Sequence, residues 1–316
     1  MFLPIKADFK LPHFPVLTVV VCITCALVFL KQRSDWADFE DALARYCQTP
    51  QSRLEEMVIS RISKMQDATI CGEVMFNLDH ADDPDAEIEE IVASLRPLAG
   101  FTPEDSREYL TRMLRSELAE YRTIVPNDPD TKVAYYTATW NPIPMVTSSF
   151  AHGSWGHIIF NLIFFIAFAT TLEALVGPIG FIIFILVNSV LIGLTDSVVS
   201  SLADTHHWSL GLSGVVMGVM GAHAFLLPRG KIRCYYWFIV IFGSIAIPAW
   251  LLAAWYIGGD IYRLFAYDDH GGINVLAHVA GGIAGYFYAY FFLKEARMMA
   301  EALQRDLDKV EFKPNF

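Results

Sequence analysis

The chain has 316 residues, 54% of them hydrophobic, and a mean hydropathy of +0.39. A water-soluble domain of that length is usually less apolar, and here the apolar residues fall in long runs rather than at an alternating or helical period. The formal net charge is −11 with no basic patch to neutralise phosphates, which argues against a nucleic-acid binder.

Lys6 and Lys10 precede the first apolar run, roughly 15–30, with Leu11 and Gln32 as its outer limits. Apolar runs of about 18 residues read as transmembrane helices. No small-residue cleavage site follows this one, so it reads as an uncleaved first span. Cys22 and Cys25 form a C-x-x-C pair inside it. With no partner Cys or His nearby, packing explains that pair better than metal or redox chemistry.

Residues 31–140 are different in kind, with 12 Lys/Arg against 22 Asp/Glu, a net of −10. Charged and apolar residues mix at helical spacing over 35–47, 53–66, 86–97 and 104–122, punctuated by Pro50, Pro84, Pro97, Pro103 and Pro126. Thr102-Pro103-Glu104-Asp105 has a capping hydroxyl, a first-turn proline and acids after it, as a helix start requires. The pattern predicts a small acidic helical insert, 33–140, outside the bilayer. Its only cysteines, Cys47 and Cys71, flank an apparent helical hairpin, and a disulfide between them is expected, the alternative being two unpaired thiols.

Five further spans follow at about 157–176, 179–200, 212–228, 235–257 and 274–294, with Gly177-Pro178 and Pro228-Arg229-Gly230 as breaks. The tail 295–316 reads as an amphipathic helix with Leu303, Leu307 and Val310 on one face. The predicted architecture is all-α and polytopic. A first span (1–32) is followed by the insert, a five-span body (141–294) and the tail. Lys6 and Lys10, then Arg229, Lys231 and Arg233, then Lys294 and Arg297 all fall on one side of six spans, so both termini are expected to be cytoplasmic. Loops 201–211 and 258–273, with Asp204, Asp260, Asp268 and Asp269, fall on the other side, as does the insert.

Spans two, four and six then start at similar depth on the outer side. Span two opens with His157 and Asn161, four apart and on one face. Span four opens with Ser213 in Gly211-Leu212-Ser213-Gly214, followed by Gly218. Span six carries Asn274 and then His278, followed by Gly281 and Gly285. Small residues let membrane helices approach closely, which would press His278 towards Ser213. A serine hydroxyl needs a base to become a nucleophile, and imidazole suits that role. An oxyanion needs donors, which the Ser213 N–H, the Asn161 amide and the His157 ring offer.

These residues resemble the rhomboid family of intramembrane proteases. The family's H-x-x-x-N stands here as His157–Asn161, its G-x-S-G as Gly211–Gly214, and its A-H-x-x-G-x-x-x-G as Ala277–Gly285. The upstream histidine stands as His152. The likeness covers the six-span core and not residues 31–140. It implies a six-helix serine endopeptidase with a Ser213–His278 dyad and no third acid. It also implies an oxyanion site from Ser213 N–H, His157 and Asn161, and no metal, nucleotide or other cofactor. The implied partners are single-span membrane proteins and lipid. Two positions depart from the family. Ile143-Pro144 replaces a Trp-Arg pair of the first outer loop, and Met217 replaces an aromatic one turn after the nucleophile, beneath the histidine.

Other readings compete. His157, His223 and His278 are the candidates if the bundle instead binds haem or a metal. A catalytically inactive, client-binding relative would usually lack the Ser or His, and this chain has both. His223 reads as an interior histidine, His206 and His207 as solvated loop residues, His152 as a support or a structural residue, and Asn188 and Asp196 as interhelical hydrogen-bonders. The expected location is a bacterial inner membrane.

Overall fold

The computed structural model describes residues 2–7, 14–48, 68–81, 83–238, 241–267 and 272–311. It divides into two units, Met1–Gln32 with Val133–Phe316, and Arg33–Lys132. Strand β1 (Phe2–Ala7) is followed by helix α1 (Val16–Gln48), which holds neither proline nor glycine. One helix therefore covers both the expected first span and the segment 35–47.

In the unit Arg33–Lys132, the longer described helices after α1 are α2 (Ala68–His80), α3 (Pro84–Ser94) and α4 (Pro103–Ile124). Thr102 caps α4 as its sequence requires, its Oγ1 accepting from Asp105 N at 3.1 Å. Leu110, Leu114, Leu118 and Tyr121 form the buried face of α4 and pack with Met75, Leu78, Ile88 and Val92 into one apolar core. Cys47 and Cys71 are joined, with Cα atoms 5.8 Å apart. The expected helix at 53–66 lies outside the described residues.

In the other unit, α5 (Trp155–Ala203) is two helices meeting at Gly177, whose φ is +73°, with Pro178 next. Proline removes a backbone donor and glycine tolerates positive φ, so the break falls where the sequence predicts it. Asn161 and Asp196, near the two ends of α5, line the same cavity, so the halves run back on each other. Helix α6 (Ser213–Leu226) follows, then strands β4 (Lys231–Phe238) and β5 (Ile241–Pro248), helices α7 (Ala249–Ala266) and α8 (Val275–Phe292), and the tail helix α9 (Lys294–Glu311). Residues of α5, α6, α7 and β4, with Cys25 and Phe29 of α1, share one core. Among the described residues, three helical elements, α1, α5 and α8, are long and apolar enough to cross a membrane.

The two halves of α5, α6 and α8 each have one end at the cavity. Phe168 of α5 meets His223 of α6 at 5.5 Å, and Arg297 lies 4.7 Å over Phe225, which marks the far end. Helix α1 starts there. Leu17 N and Thr18 N donate to the carboxylate of Glu173 at 2.9 and 2.7 Å, as does Thr18 Oγ1 at 2.7 Å. First-turn amides lack partners inside their own helix and sit at its positive end, so a buried carboxylate there is matched. Midway along α1, Gln32 Oε1 accepts from His152 N at 3.1 Å and Phe29 meets Trp155 at 4.9 Å.

The expected span at 235–257 is corrected. Strands β4 and β5 pair antiparallel, and β1 pairs with β4 so that Lys6 faces Arg233. Ile232 and Cys234 are fully buried while Lys231, Arg233 and Tyr235 are exposed, a strand period of two. The run is rich in β-branched and aromatic residues, and Pro248 would break a helix spanning it. The helix begins directly after, at Ala249, and runs through Gly258 and Gly259 to Ala266, where the sequence predicts a loop.

Candidate active site

The loops over the cavity are held by short polar ties. Strand β2 (Tyr135–Tyr136) pairs with β3 (Trp208–Ser209). Ser197 Oγ donates to Thr137 O at 2.7 Å and bonds the Tyr135 hydroxyl. Gly211 N donates to Ser148 O at 3.0 Å. Gly211 has φ +119°, and a Cβ there would lie 2.6 Å from His157 Cε1. Only glycine meets both demands, and its presence lets the His157 ring lie against the backbone two residues before Ser213.

Ser213 is the first residue of α6, and the preceding Leu212 supplies no side-chain cap. The first-turn N–H groups of α6 are therefore free of intrahelical partners. Asn274 caps α8, its Oδ1 accepting from Ala277 N at 2.9 Å. Helices α6 and α8 then cross at backbone contact. A Cβ on Gly281 would lie 2.1 Å from Gly214 O, and one on Gly285 would lie 2.0 Å from Gly218 O. Asn188 fastens the crossing, its Nδ2 donating to Gly281 O at 3.2 Å while its Oδ1 occupies the space a Gly218 side chain would need. Asn188 is thus the interhelical bonder its position suggests.

A cavity of about 600 Å³ lies at this end, and Ser213, His278, Asn161 and His157 all line it. Asn161 is buried and its Nδ2 has no hydrogen-bond partner. An unpaired buried amide costs stability, so a donor kept at a cavity wall is suited to an incoming acceptor. His152 is buried behind the site with its ring 5.1 Å from that of His157. Met217 is buried in the apolar core of α6. His223 does not line the cavity and packs on Phe168, which removes it from a ligand set with His157 and His278.

Two features escape the sequence reading. Asp260, expected in an outer loop, lies on α7 with Oδ2 2.8 Å from His278 Nδ1. His207, expected to be solvated, has Nε2 3.4 Å from Oδ1 of the buried Asp196, whose Oδ2 accepts from Asn274 Nδ2 at 2.6 Å. The Asp196 contact raises the His207 pKa. A buried acid near an outer histidine was the available signal for the second. For the first, only the continuation of α7 past two glycines reveals it.

The family profile described as Rhomboid domain matches residues 139–295. The chain is 26% identical over 156 residues to Rhomboid protein 1, mitochondrial, of Saccharomyces cerevisiae, covering 48% of this chain and 42% of that protein. It is 26% identical over 176 residues to Presenilin-associated rhomboid-like protein, mitochondrial, of Rattus norvegicus, covering 52% and 43%. It is 28% identical over 165 residues to Presenilin-associated rhomboid-like protein A, mitochondrial, of Danio rerio, covering 49% and 40%. Less than half of each relative's own length is aligned.

Proposed function

The chain belongs to the rhomboid family, and we propose that it is an intramembrane serine endopeptidase with Ser213 as nucleophile and His278 as base. The observation that carries this reading is the meeting of Ser213, His278, Asn161 and His157, from α5, α6 and α8, at one cavity. Ser213 Oγ attacks the scissile carbonyl carbon while its proton passes to His278 Nε2. The oxyanion takes hydrogen bonds from Ser213 N–H, Asn161 Nδ2 and His157. The C–N bond then breaks, and the proton moves from His278 to the leaving nitrogen. Water hydrolyses the acyl ester by the same path in reverse.

In this reading α1, the two halves of α5, α6, α7 and α8 are six spans, and the substrates are single-span membrane proteins. A peptide bond in a stable helix is shielded by its own hydrogen bonds, so segments with Gly or Pro near the cut are favoured. The acidic unit would select or admit clients rather than take part in chemistry. The relatives' names place those proteins in mitochondria and lend no support to a bacterial inner membrane. The location supported is that of an integral membrane protein.

The test is labelling of the detergent-solubilised protein by a fluorophosphonate probe, with cleavage of a fused single-span substrate. Ser213→Ala should abolish both, and His278→Ala should lower turnover by about 10⁴–10⁶. Wild-type turnover in either variant would overturn the assignment.

A further inference from the structure

Asp260 is 7% exposed on α7, and its Oδ2 lies 2.8 Å from His278 Nδ1. An ionised carboxylate only accepts, so this contact places the ring proton on Nδ1. The neutral ring then keeps its lone pair on Nε2, the nitrogen that must receive the Ser213 proton. We propose that Asp260 is a positioning residue that fixes the tautomer and orientation of His278, making Ser213, His278 and Asp260 a three-membered unit. The inference rests on the protease reading above and departs from the acid-free dyad that the family resemblance implies.

The proton inventory is simple. As the Ser213 Oγ–carbon bond forms, the Oγ–H bond breaks and its proton goes to His278 Nε2. The imidazolium keeps its Nδ1–H, and Asp260 stays ionised beside it, stabilising the positive charge where it develops. When the C–N bond breaks, Nε2 gives the proton to the departing nitrogen. Asp260 neither gains nor loses a proton.

Among the described residues, Asp260 is the acid that contacts this ring. Arg263 of α7 approaches the other oxygen of Asp260 at 3.6 Å and so leaves Oδ2 to the imidazole. Helix α6 brings Ser213 to the cavity, and α5 brings His157 and Asp196. The carboxylate of Asp196 is engaged by Asn274 and His207. The charged residues of α9 begin at Lys294, beyond the far end of α8. The competing explanation is that Asp260 merely ties α7 to α8.

The full chain in detergent separates the two. Asp260→Asn should lower kcat roughly 10²–10⁴-fold with KM within about threefold of wild type. In Asp260→Ala, added formate can occupy the vacated carboxylate position, and should raise kcat at least about tenfold without raising that of wild type or Ser213→Ala. Thermal unfolding of each variant is measured beside the kinetics. Asp260→Asn with kcat within about tenfold of wild type overturns the proposal while the protease reading stands. Loss of activity together with Tm, unrestored by formate, reduces Asp260 to a structural tie. A wild type that neither labels nor cleaves sinks both readings.

Discussion

The crossing of α6 and α8 gives a sharp test of how the site is assembled. In Gly281→Ala the new methyl would lie 2.1 Å from Gly214 O and 2.8 Å from Gly214 C, both backbone atoms. Ordinary contact begins near 3.4 Å, so the helices must part by roughly 1.3 Å, a strain of the kind that costs about 1–3 kcal/mol in packed interiors. Alanine's higher helix propensity returns about 1 kcal/mol of that, so the expected loss of stability is modest. The loss of activity is not. His278 stands one turn before Gly281 and Ser213 stands next to Gly214, so the displacement that relieves the methyl also separates the proposed base from the proposed nucleophile. A misplacement of about 1 Å costs about 10²-fold in rate. Fluorophosphonate labelling and cleavage of a single-span substrate should therefore slow by about that factor while most of the thermal stability remains. Gly258→Ala is the control, because nothing lies within 4 Å of a Cβ there, and it should keep the wild-type rate. A Gly281→Ala protein that labels within about threefold of wild type would refute the close-crossing account.

Asn161→Ala and His157→Ala should each lower kcat by roughly 10²–10³, and their double mutant should fall short of the product because both serve one charge; a change confined to KM would make them substrate-binding groups. His207 has a pKa raised by Asp196, so its contribution is complete below about pH 6.5 and fades as pH rises through the folded value. The Tm difference between wild type and His207→Ala should accordingly be largest near about pH 6 and shrink as pH rises; a difference that grows with pH would contradict the assignment. The Cys47–Cys71 bond closes a separation of 24 residues and should add roughly 3–4 kcal/mol in the chain-entropy estimate, so reduction or Cys71→Ser should lower the unfolding midpoint of the unit Arg33–Lys132; labelling of both thiols by maleimide in the unreduced, unfolded chain would show that no bond forms.

The meeting of Ser213, His278, Asn161 and His157 at one cavity was legible because each sits near a helix start. The helix break at Gly177-Pro178 and the Thr102 cap were legible for the same local reason, since backbone geometry restricts the residues allowed there. The segment 231–248 was not. Hydropathy measures how apolar a run is and does not separate a helix from a buried strand, although Gly243, Pro248 and the β-branched and aromatic residues around them pointed to a strand. Asp260 was lost through the same error, because starting the fifth helix too early also ended it too early and moved the acid into a loop. His207 was read from its loop position alone, which says nothing of the carboxylate that the returning half of α5 brings beneath it.

The pairing of β1 with β4 bears on the order in which this chain is made. Synthesis is vectorial and amino-terminal elements emerge first, yet Phe2–Ala7 pairs with Lys231–Phe238, after α1, the acidic unit, both halves of α5 and α6 have all been produced. A nascent chain stalled before Lys231 has no ladder partner for its first strand. A chain that reaches β5 without β1 presents β4 as an open edge, the kind of edge that recruits foreign strands. Strand β1 thus completes the three-stranded sheet late, as a long-range closure of high contact order. A change that keeps β1 from pairing should therefore disturb assembly at the hairpin, far along the sequence from the change.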